Sequence, residues 1–382
     1  MSRSFKDLAT ARLPTPRRMR DEFDADPELV FLKRTSEGYH KTSKTSARVP
    51  CHFGHICSSY TLCLEWEWVL LRVSTDEANL LDARSPDLAD LLFVSCSFAR
   101  RHLYIALLFT WTDYKTIFLP ITAFACATAP LHSFRNLLHG WVWIWFHLLM
   151  CNVSNQSKTE LEDAINRAWR PLPSGRIRES QARILRWTTV VLCFLLSSAY
   201  SVDMVMVTSG LVLTTILYDD AGLAWNAMGK NLCNIGGYTT FEIGAMKIMG
   251  SSAELDEISI SAVMLSGIMI FTTIQAQDFA DVEGDAALGR MTFPIYAPTF
   301  SRVFTLIAIL AWSTILSWYW SIGIIGRTIF IALGFYVGLR YYCWRTPNVD
   351  KRSYIVYSVW LILAHILPLQ ARIDASSHMY SA

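Results

Sequence analysis

Long apolar blocks fill the chain from about residue 104 onward, and polar stretches separate them. A helix needs roughly 20 apolar residues to cross a bilayer, and nine stretches approach that length. They lie at about residues 108–130, 133–151, 185–202, 203–218, 231–250, 257–277, 301–321, 322–343 and 353–371. The pattern predicts an all-α, multi-pass membrane helical bundle of about nine transmembrane helices.

The composition agrees with a bilayer environment. Hydrophobic residues make up 52% of the 382 residues and charged residues 17%, whereas a soluble protein carries about 25% charge. The formal net charge of +2 gives no reason to expect a nucleic-acid partner. The expected environment is the lipid bilayer, and no obligatory protein partner is evident.

The first hundred residues read differently from the rest. We expect an N-terminal cytosolic, mixed or partly disordered segment (1–103), a transmembrane catalytic domain (104–375) and a short tail (376–382). No apolar core lies in the first thirty residues, so we expect no secretory signal. Residues 1–20 are basic, and we interpret them as a cytosolic tail on the positive side of a membrane, with a mitochondrial transit peptide as the alternative. The stretch 61–71 is too short to span a membrane and carries two glutamates, and no role is assigned to residues 24–100.

The nine cysteines contain no CxxC pair, and several lie in apolar runs where cysteine packs as a small hydrophobe. Cys51, His52, His55 and Cys57 are crowded, but their spacing fits no common zinc pattern.

Orientation follows from the distribution of basic residues. The loops after the second and eighth spans are rich in Lys and Arg, whereas an acidic Glu254–Asp256–Glu257 cluster follows the fifth span. Because basic loops stay in the cytosol, loops two, four and six are expected to share the cytosolic face.

Three aspartates close the sixth span. Asp278, Asp281 and Asp285 are spaced i, i+3 and i+7, so one continuous helix would present them on one face. Acidic residues at membrane depth are rare and usually functional. Mg2+ prefers carboxylate oxygens together with substrate phosphates, so the motif predicts a magnesium–diphosphate site rather than a solvated helix end.

A second polar segment lies in loop two, from Asn155 to Arg176. Its Arg170-Pro-Leu-Pro-Ser-Gly175 run resembles the end of the first signature of the UbiA superfamily of intramembrane prenyltransferases. That alignment places Asn155 on the signature's Asn, Gln156 and Thr159 on its first two aspartates, and Asp163 on its last. The family's second signature is matched by Asp281–Asp285 and the following Gly289-Arg-Met-Thr-Phe-Pro294 tail.

The resemblance covers about residues 115–371 and implies a UbiA-like fold, a Mg2+ cofactor and a prenyl diphosphate substrate. Because two of the first signature's aspartates are neutral here, it leaves Asp163 as a metal ligand, helped by Glu160 or Glu162; we assign Glu160. Asn155 and Gln156 are then expected at the diphosphate. The variant motif is similar to that of fungal UbiA-type terpene cyclases, which implies cyclisation of farnesyl diphosphate to a bergamotene-type sesquiterpene.

Loop four carries the remaining candidates. Lys230 and Asn231 are candidates for binding the diphosphate. Lys230 is placed to neutralise a departing diphosphate, although a lysine there also anchors a helix end at the lipid headgroups. Arg170 and Arg176 are candidates for phosphate oxygens, since arginine makes bidentate contacts, or are topology determinants. Asp219 and Asp220 are either further ligands or a simple loop.

The predicted mechanism has Asp278, Asp281, Asp285 and Asp163 binding Mg2+, with Lys230 assisting departure of the diphosphate. An allylic cation in a dry cavity then cyclises or alkylates an acceptor, and ring faces stabilise it. The motifs do not separate a cyclase from a prenyltransferase to an aromatic or polyketide acceptor. A non-catalytic transporter or sensor is the alternative of another class. We expect the endoplasmic reticulum as the location, with the site facing the cytosol.

Overall fold

The computed structural model describes residues 88–252 and 254–381, and their long segments are helices joined by short connections. No strand occurs in these residues. In chain order the helices are α1 (Leu88–Thr110), α2 (Leu119–Thr128), α3 (Phe134–Gln156), α4 (Glu160–Asn166), α5 (Glu179–Ser198), α6 (Val202–Asp219), α7 (Ala227–Met249), α8 (Glu257–Thr273), α9 (Val282–Leu288), α10 (Phe293–Tyr296), α11 (Pro298–Tyr319), α12 (Ile324–Cys343), α13 (Pro347–Ile366) and α14 (Pro368–Ser381). The zinc-like cluster at 51–57, the basic segment 1–20 and the stretch 61–71 lie outside the described residues.

Five of the described helical segments are long and apolar enough to cross a membrane. They are Val202–Asp219, Glu257–Ala280, Pro298–Tyr319, Ile324–Cys343 and Pro347–Ser377. Helices α3 and α7 have matching lengths, but they carry buried polar side chains such as His147, Lys230 and Glu242, which lower their hydropathy. The all-α membrane bundle is confirmed, and the total of nine spans stays a prediction.

The first predicted span, 108–130, is not one helix. Helix α1 ends at Thr110, and a 3₁₀ turn and a π turn lead to α2 at Leu119. Pro120 has no N–H for the carbonyl of Thr116, four residues earlier, and the Tyr238 hydroxyl donates to that carbonyl instead, at 2.7 Å. Proline thus explains the break, and a neighbouring helix satisfies the freed oxygen.

Helix α7 lies at the centre of the bundle, in contact with α2, α3, α6 and α8. It packs tightly against α3 at Gly244, where an added Cβ would collide with the Trp143 ring. The fully buried Trp143 donates its indole N–H to Ser197 Oγ on α5 at 2.9 Å. Small residues that let backbones approach closely are typical of membrane helix packing.

A buried ion pair joins α11 to α13 beside the segment that carries the acidic motif. Arg302 Nη2 lies 2.8 Å from Asp350 Oδ2, and its Nη1 donates to the Tyr341 carbonyl at 2.6 Å. The same guanidinium stacks over Phe279, 4.4 Å from the ring centroid. This contact anchors the segment that carries Asp278 and Asp281.

Candidate active site

Loops two, four and six meet at one end of the bundle, and helix α4 of loop two packs against α9 of loop six. Ion pairs join the loops: Glu162 to Arg290 at 2.7 Å, Asp281 to Arg167 at 2.7 Å and Asp278 to Lys230 at 2.8 Å. These contacts confirm that the three loops share one face. We call the following nine side chains the charged mouth: Glu162, Asp163, Asp278, Asp281, Asp285, Arg167, Arg170, Lys230 and Arg290.

The prediction that one continuous helix face holds the three aspartates is wrong. Residues Ile274–Ala280 form a 3₁₀ helix, and Asp281 (φ −110°, ψ 7°) interrupts the backbone before α9 begins at Val282. The interruption turns Asp281 toward Arg167 of loop two, while Asp278 and Asp285 both face Lys230 of loop four.

Lys230 lies in the first turn of α7 and is buried between two carboxylates. Its Nζ lies 2.8 Å from Asp278 Oδ1 and 3.5 Å from Asp285 Oδ2. Asn226 starts this helix by accepting a hydrogen bond from the Gly229 N–H at 2.8 Å, so the ammonium position is set by a capped helix end. A buried ammonium needs such paired carboxylates.

Arg290 is a second buried cation, which the sequence reasoning missed. Its Nη1 lies 2.7 Å from Glu162 Oε2 and 3.5 Å from Asp285 Oδ1. The sequence signal that could have identified Arg290 is its position directly after Gly289, inside the tail that resembles the family's second signature. Arg290 links loop two to loop six and places Asp285 between two cations.

Loop two contributes a third pair. Asp163 is fully buried, 2.6 Å from Arg170 Nη1, and Arg170 also donates to Thr112 Oγ1 at 3.1 Å. Burial raises the pKa of Asp163, and the Arg170 charge opposes that shift. Arg167, a second cation that the motifs did not single out, follows α4 directly.

The two loop-two glutamates differ sharply in position. Glu160, the predicted metal ligand, is exposed, whereas Glu162 is buried against Arg290. Positions i and i+2 of a helix point to nearly opposite sides, so α4 cannot present both to the site. Burial raises the pKa of Glu162, and Arg290 opposes that shift. The structure thus places Glu162, and not Glu160, in the charged mouth.

The amide candidates lie at the edge of the charged mouth. Gln156 donates to the Phe109 carbonyl at 2.8 Å, and Asn155 donates to Asp219 Oδ1 at 3.1 Å. Asn231 instead donates to the Phe271 carbonyl at 2.9 Å, toward the bundle interior. Arg176 donates to the Trp169 carbonyl at 3.3 Å.

Asp219 and Asp220 make structural contacts in loop four. Asp219 accepts from Ser154 Oγ at 2.5 Å as well as from Asn155. Asp220 is paired with Arg186 and with Lys158, and its hydrogen bond to Arg186 lowers its pKa. These pairs fix loop four against α3 and α5.

The carboxylates of the charged mouth are chemically suited to bind Mg2+, although in this structure they are paired with lysine and arginine side chains. Among the described residues no group of three or more His, Cys, Asp or Glu side chains is arranged as a ready metal site. However, Asp163 Oδ2, Gln156 Oε1 and Asp278 Oδ1 are buried oxygens without a hydrogen bond, the last despite its ion-pair distance to Lys230. Oxygens of this type are the ligands that Mg2+ prefers.

A cavity of about 350 Å³ lies away from these groups. It is lined by Arg135, His139, Tyr200 and Lys247 among others, at the ends of α3, α5 and α7 remote from the charged mouth. It is therefore not part of the candidate site.

Tyr354 is an aromatic residue that lies beside the acidic motif. The Tyr354 hydroxyl donates to Gln277 Oε1 at 3.4 Å, and Lys115 Nζ lies 5.6 Å from the centroid of the Tyr354 ring. Sequence spacing could not select this residue from the many aromatics, because the contact depends on the break at Pro120 that orients Lys115.

An apolar helical bundle with a charged mouth of five acids and four bases at one end defines an integral membrane protein with an enzyme-like site. The profile of the UbiA prenyltransferase family matches residues 117–362. The chain belongs to this family.

Curated relatives support the same assignment. Fumagillin β-trans-bergamotene synthase of Aspergillus fumigatus is 31% identical over 267 residues, which cover 70% of this chain and 92% of the relative. A diterpene cyclase of Hericium erinaceus is 27% identical, with 68% and 85% covered. A solved structure of digeranylgeranylglyceryl phosphate synthase has a TM-score of 0.51 at 19% identity, covering 70% of this chain and 98% of its own, and it supports the fold.

The two glutamates give a direct test of which carboxylate serves the site. Glu162→Gln is expected to lower turnover of a prenyl diphosphate by about 10- to 100-fold, because it leaves Arg290 short of a buried partner. Glu160→Gln should leave turnover near the wild-type rate. Initial rates at matched protein levels decide this, and the reverse order would restore Glu160 as the ligand.

Proposed function

We propose that the protein is a Mg2+-dependent sesquiterpene cyclase that ionises farnesyl diphosphate and closes the cation to a bergamotene-type hydrocarbon. The support for cyclisation is the bergamotene synthase relative, whose length this chain matches almost completely. The support for a prenyl diphosphate substrate is membership of the UbiA family together with the charge pattern of the site.

The observation that carries the proposal is the convergence of three loops in the charged mouth. Its acids and bases nearly balance, and most are buried. Burying so many charges costs about as much free energy in desolvation as their mutual attraction returns, so stability alone does not account for the cluster. A metal-bound diphosphate carries a divalent cation and several negative oxygens. It therefore suits a site in which the carboxylates can bind the metal and the lysine and arginine side chains can bind the diphosphate.

Each side chain then has a role in the proposal. Asp278, Asp281, Asp285 and Asp163 are assigned to Mg2+, which when bound neutralises negative charge on the departing diphosphate. Lys230 and Arg170, released from these carboxylates, are assigned to diphosphate oxygens, with Asn155 and Gln156 at the edge. Arg290 and Arg167 hold the loops together and add positive potential where the leaving group gains charge.

The apolar bundle completes the chemistry. The prenyl chain is assigned to the space between helices below the charged mouth, where exclusion of water protects the allylic cation. An internal double bond attacks the cation, and loss of a proton gives a hydrocarbon. We place the protein in the endoplasmic reticulum, as its class leads us to expect. We place the charged mouth toward the cytosol on the basis of the basic loops two and eight.

Acceptor-free product analysis tests the proposal. Membranes containing the protein, incubated with farnesyl diphosphate and Mg2+ alone, should release a cyclic fifteen-carbon hydrocarbon detected by gas chromatography–mass spectrometry. Membranes lacking the protein and reactions with EDTA are the controls, and geranylgeranyl diphosphate tests chain-length preference. Product that appears only with an aromatic or polyketide acceptor would instead establish prenyl transfer.

A further inference from the structure

A buried acid, hydroxyl and imidazole meet deep in the bundle, far from the charged mouth. Glu242 Oε1 on α7 accepts a hydrogen bond from Ser266 Oγ on α8 at 2.5 Å. Ser266 Oγ lies 3.2 Å from His365 Nε2 on α13, and His365 Nδ1 lies 3.3 Å from the Pro120 carbonyl. We call Glu242, Ser266 and His365 the inner triad.

The inner triad retains one unused oxygen. Glu242 is 0% exposed, and its Oε2 has no hydrogen-bond partner. A buried carboxyl oxygen without a partner is costly, and ionisable groups inside a membrane domain usually serve a function. The proposed ionisation and cyclisation in the charged mouth do not use it.

Helices α7 and α13 both extend from the charged mouth to the inner triad, and on each helix a residue near the mouth lies on the same side as a triad residue. On α7, Asn231 and Glu242 are eleven residues apart, and on α13, Tyr354 and His365 are eleven residues apart. Eleven residues make about three helical turns, so each pair lies on one side of its helix and about 16 Å apart. This distance is comparable with the reach of an extended fifteen-carbon chain.

The broken segment between α1 and α2 contacts both helices. Its Lys115 lies over the Tyr354 ring and its Thr116 carbonyl accepts from Tyr238, while the Pro120 carbonyl in the first turn of α2 lies next to His365. The His365 ring also packs edge-on against Phe124, with centroids 5.2 Å apart. Aromatic rings near the triad suit a cation, and α7, α13 and α2 all contribute contacts around His365.

We propose that Glu242 is the base that ends the reaction, by accepting through Oε2 the proton that the cyclised cation loses. The inference rests on the proposed function and adds a residue to it. The C–H bond beside the cationic carbon breaks, its electron pair forms the new alkene bond, and the proton binds Oε2. Ser266 donates to Oε1 and, with the adjacent His365 imidazole, holds the proton-accepting carboxylate in place; water takes the proton after the hydrocarbon leaves.

The test substitutes Glu242→Gln, which keeps the side-chain volume and a hydrogen bond to Ser266 but removes the basic oxygen. Diphosphate release should continue at the wild-type rate, because the charged mouth is intact. The wild-type hydrocarbon should fall by about 100-fold. It should be replaced by alkenes that have lost a different proton or by alcohols formed from water.

Thr208→Val is the matched control, since it disrupts another buried polar cluster, in which Thr208 bonds His147 at 2.9 Å and Ser197 at 2.6 Å. It should keep the wild-type product profile even if thermal stability falls. If Glu242→Gln does not fold, Ser266→Ala is measured in the same way and should shift the product profile.

An unchanged product profile in the triad variant overturns the inference, as does a parallel fall in diphosphate release and hydrocarbon without a new product. Failure of the proposed function is a separate result, because it would be seen in the wild type as absence of any acceptor-free hydrocarbon. The inference would fall with it.

Discussion

Replacing Asp285 by asparagine is expected to lower farnesyl diphosphate turnover by about 10³-fold or more, because the carboxylate is assigned both to Mg2+ and to two cations. Asp285 is fully buried and lies 3.5 Å from both Lys230 and Arg290. Asparagine keeps the shape but removes the charge that organises these neighbours. The measurement is the initial rate of diphosphate release at saturating Mg2+.

Glu283→Gln is the control for this variant. Glu283 lies on the same short helix, two positions before Asp285, but it is exposed. It should retain the wild-type rate. Full activity in Asp285→Asn, with the same protein folded to the same extent, would show that the assigned metal site is wrong.

Lys230→Met is expected to have the second-largest effect, in both stability and rate. Removing one partner of a buried ion pair costs about 3–5 kcal/mol, and Lys230 faces two carboxylates. Turnover should fall by about 10²-fold. Because Asp278 would then lose its cation and Asp285 would keep only Arg290, Mg2+ should raise the melting temperature of Lys230→Met more than that of the wild type.

Lys247→Met provides the comparison on the same helix. Lys247 pairs at 2.9 Å with Asp203, whose side chain is 67% exposed, at the other end of α7. An exposed pair of this kind contributes about 1 kcal/mol or less. If Mg2+ does not change the melting temperature of Lys230→Met, the result would argue against Mg2+ binding by Asp278 and Asp285.

The sequence was sufficient to predict where the charged mouth lies, because its position depends only on which side of the membrane each loop faces. Apolar blocks and basic loops predicted that loops two, four and six share one face, and the pairs Asp281–Arg167 and Glu162–Arg290 confirm it. Its place in loop four also singled out Lys230, which lies between two aspartates. These features depend on topology and not on local backbone detail.

The direction in which each acidic side chain points could not be predicted from the sequence. The three aspartates were placed on one α-helical face, but the backbone changes to a 3₁₀ helix before Asp281. In the same way, the choice of Glu160 over Glu162 depends on how α4 packs against α9. Such directions are set by contacts between distant segments, which a single sequence does not specify.

The break near Pro120 shows a further limit. A continuous apolar run predicted one span at 108–130, whereas the chain leaves α-helical geometry between Thr110 and Leu119. The proline was visible, but the Tyr238 hydroxyl that satisfies the freed Thr116 carbonyl comes from α7. Tertiary hydrogen bonding decides whether a proline kinks a membrane helix or interrupts it.

The most direct test of the central claim is a binding measurement with a farnesyl thiodiphosphate that cannot ionise. Calorimetric titration of the purified protein should show binding that requires Mg2+ and is lost in Asp285→Asn but retained in Glu283→Gln. Equal affinity in EDTA, or wild-type affinity in Asp285→Asn, would contradict a magnesium-bound diphosphate held by the converged loops.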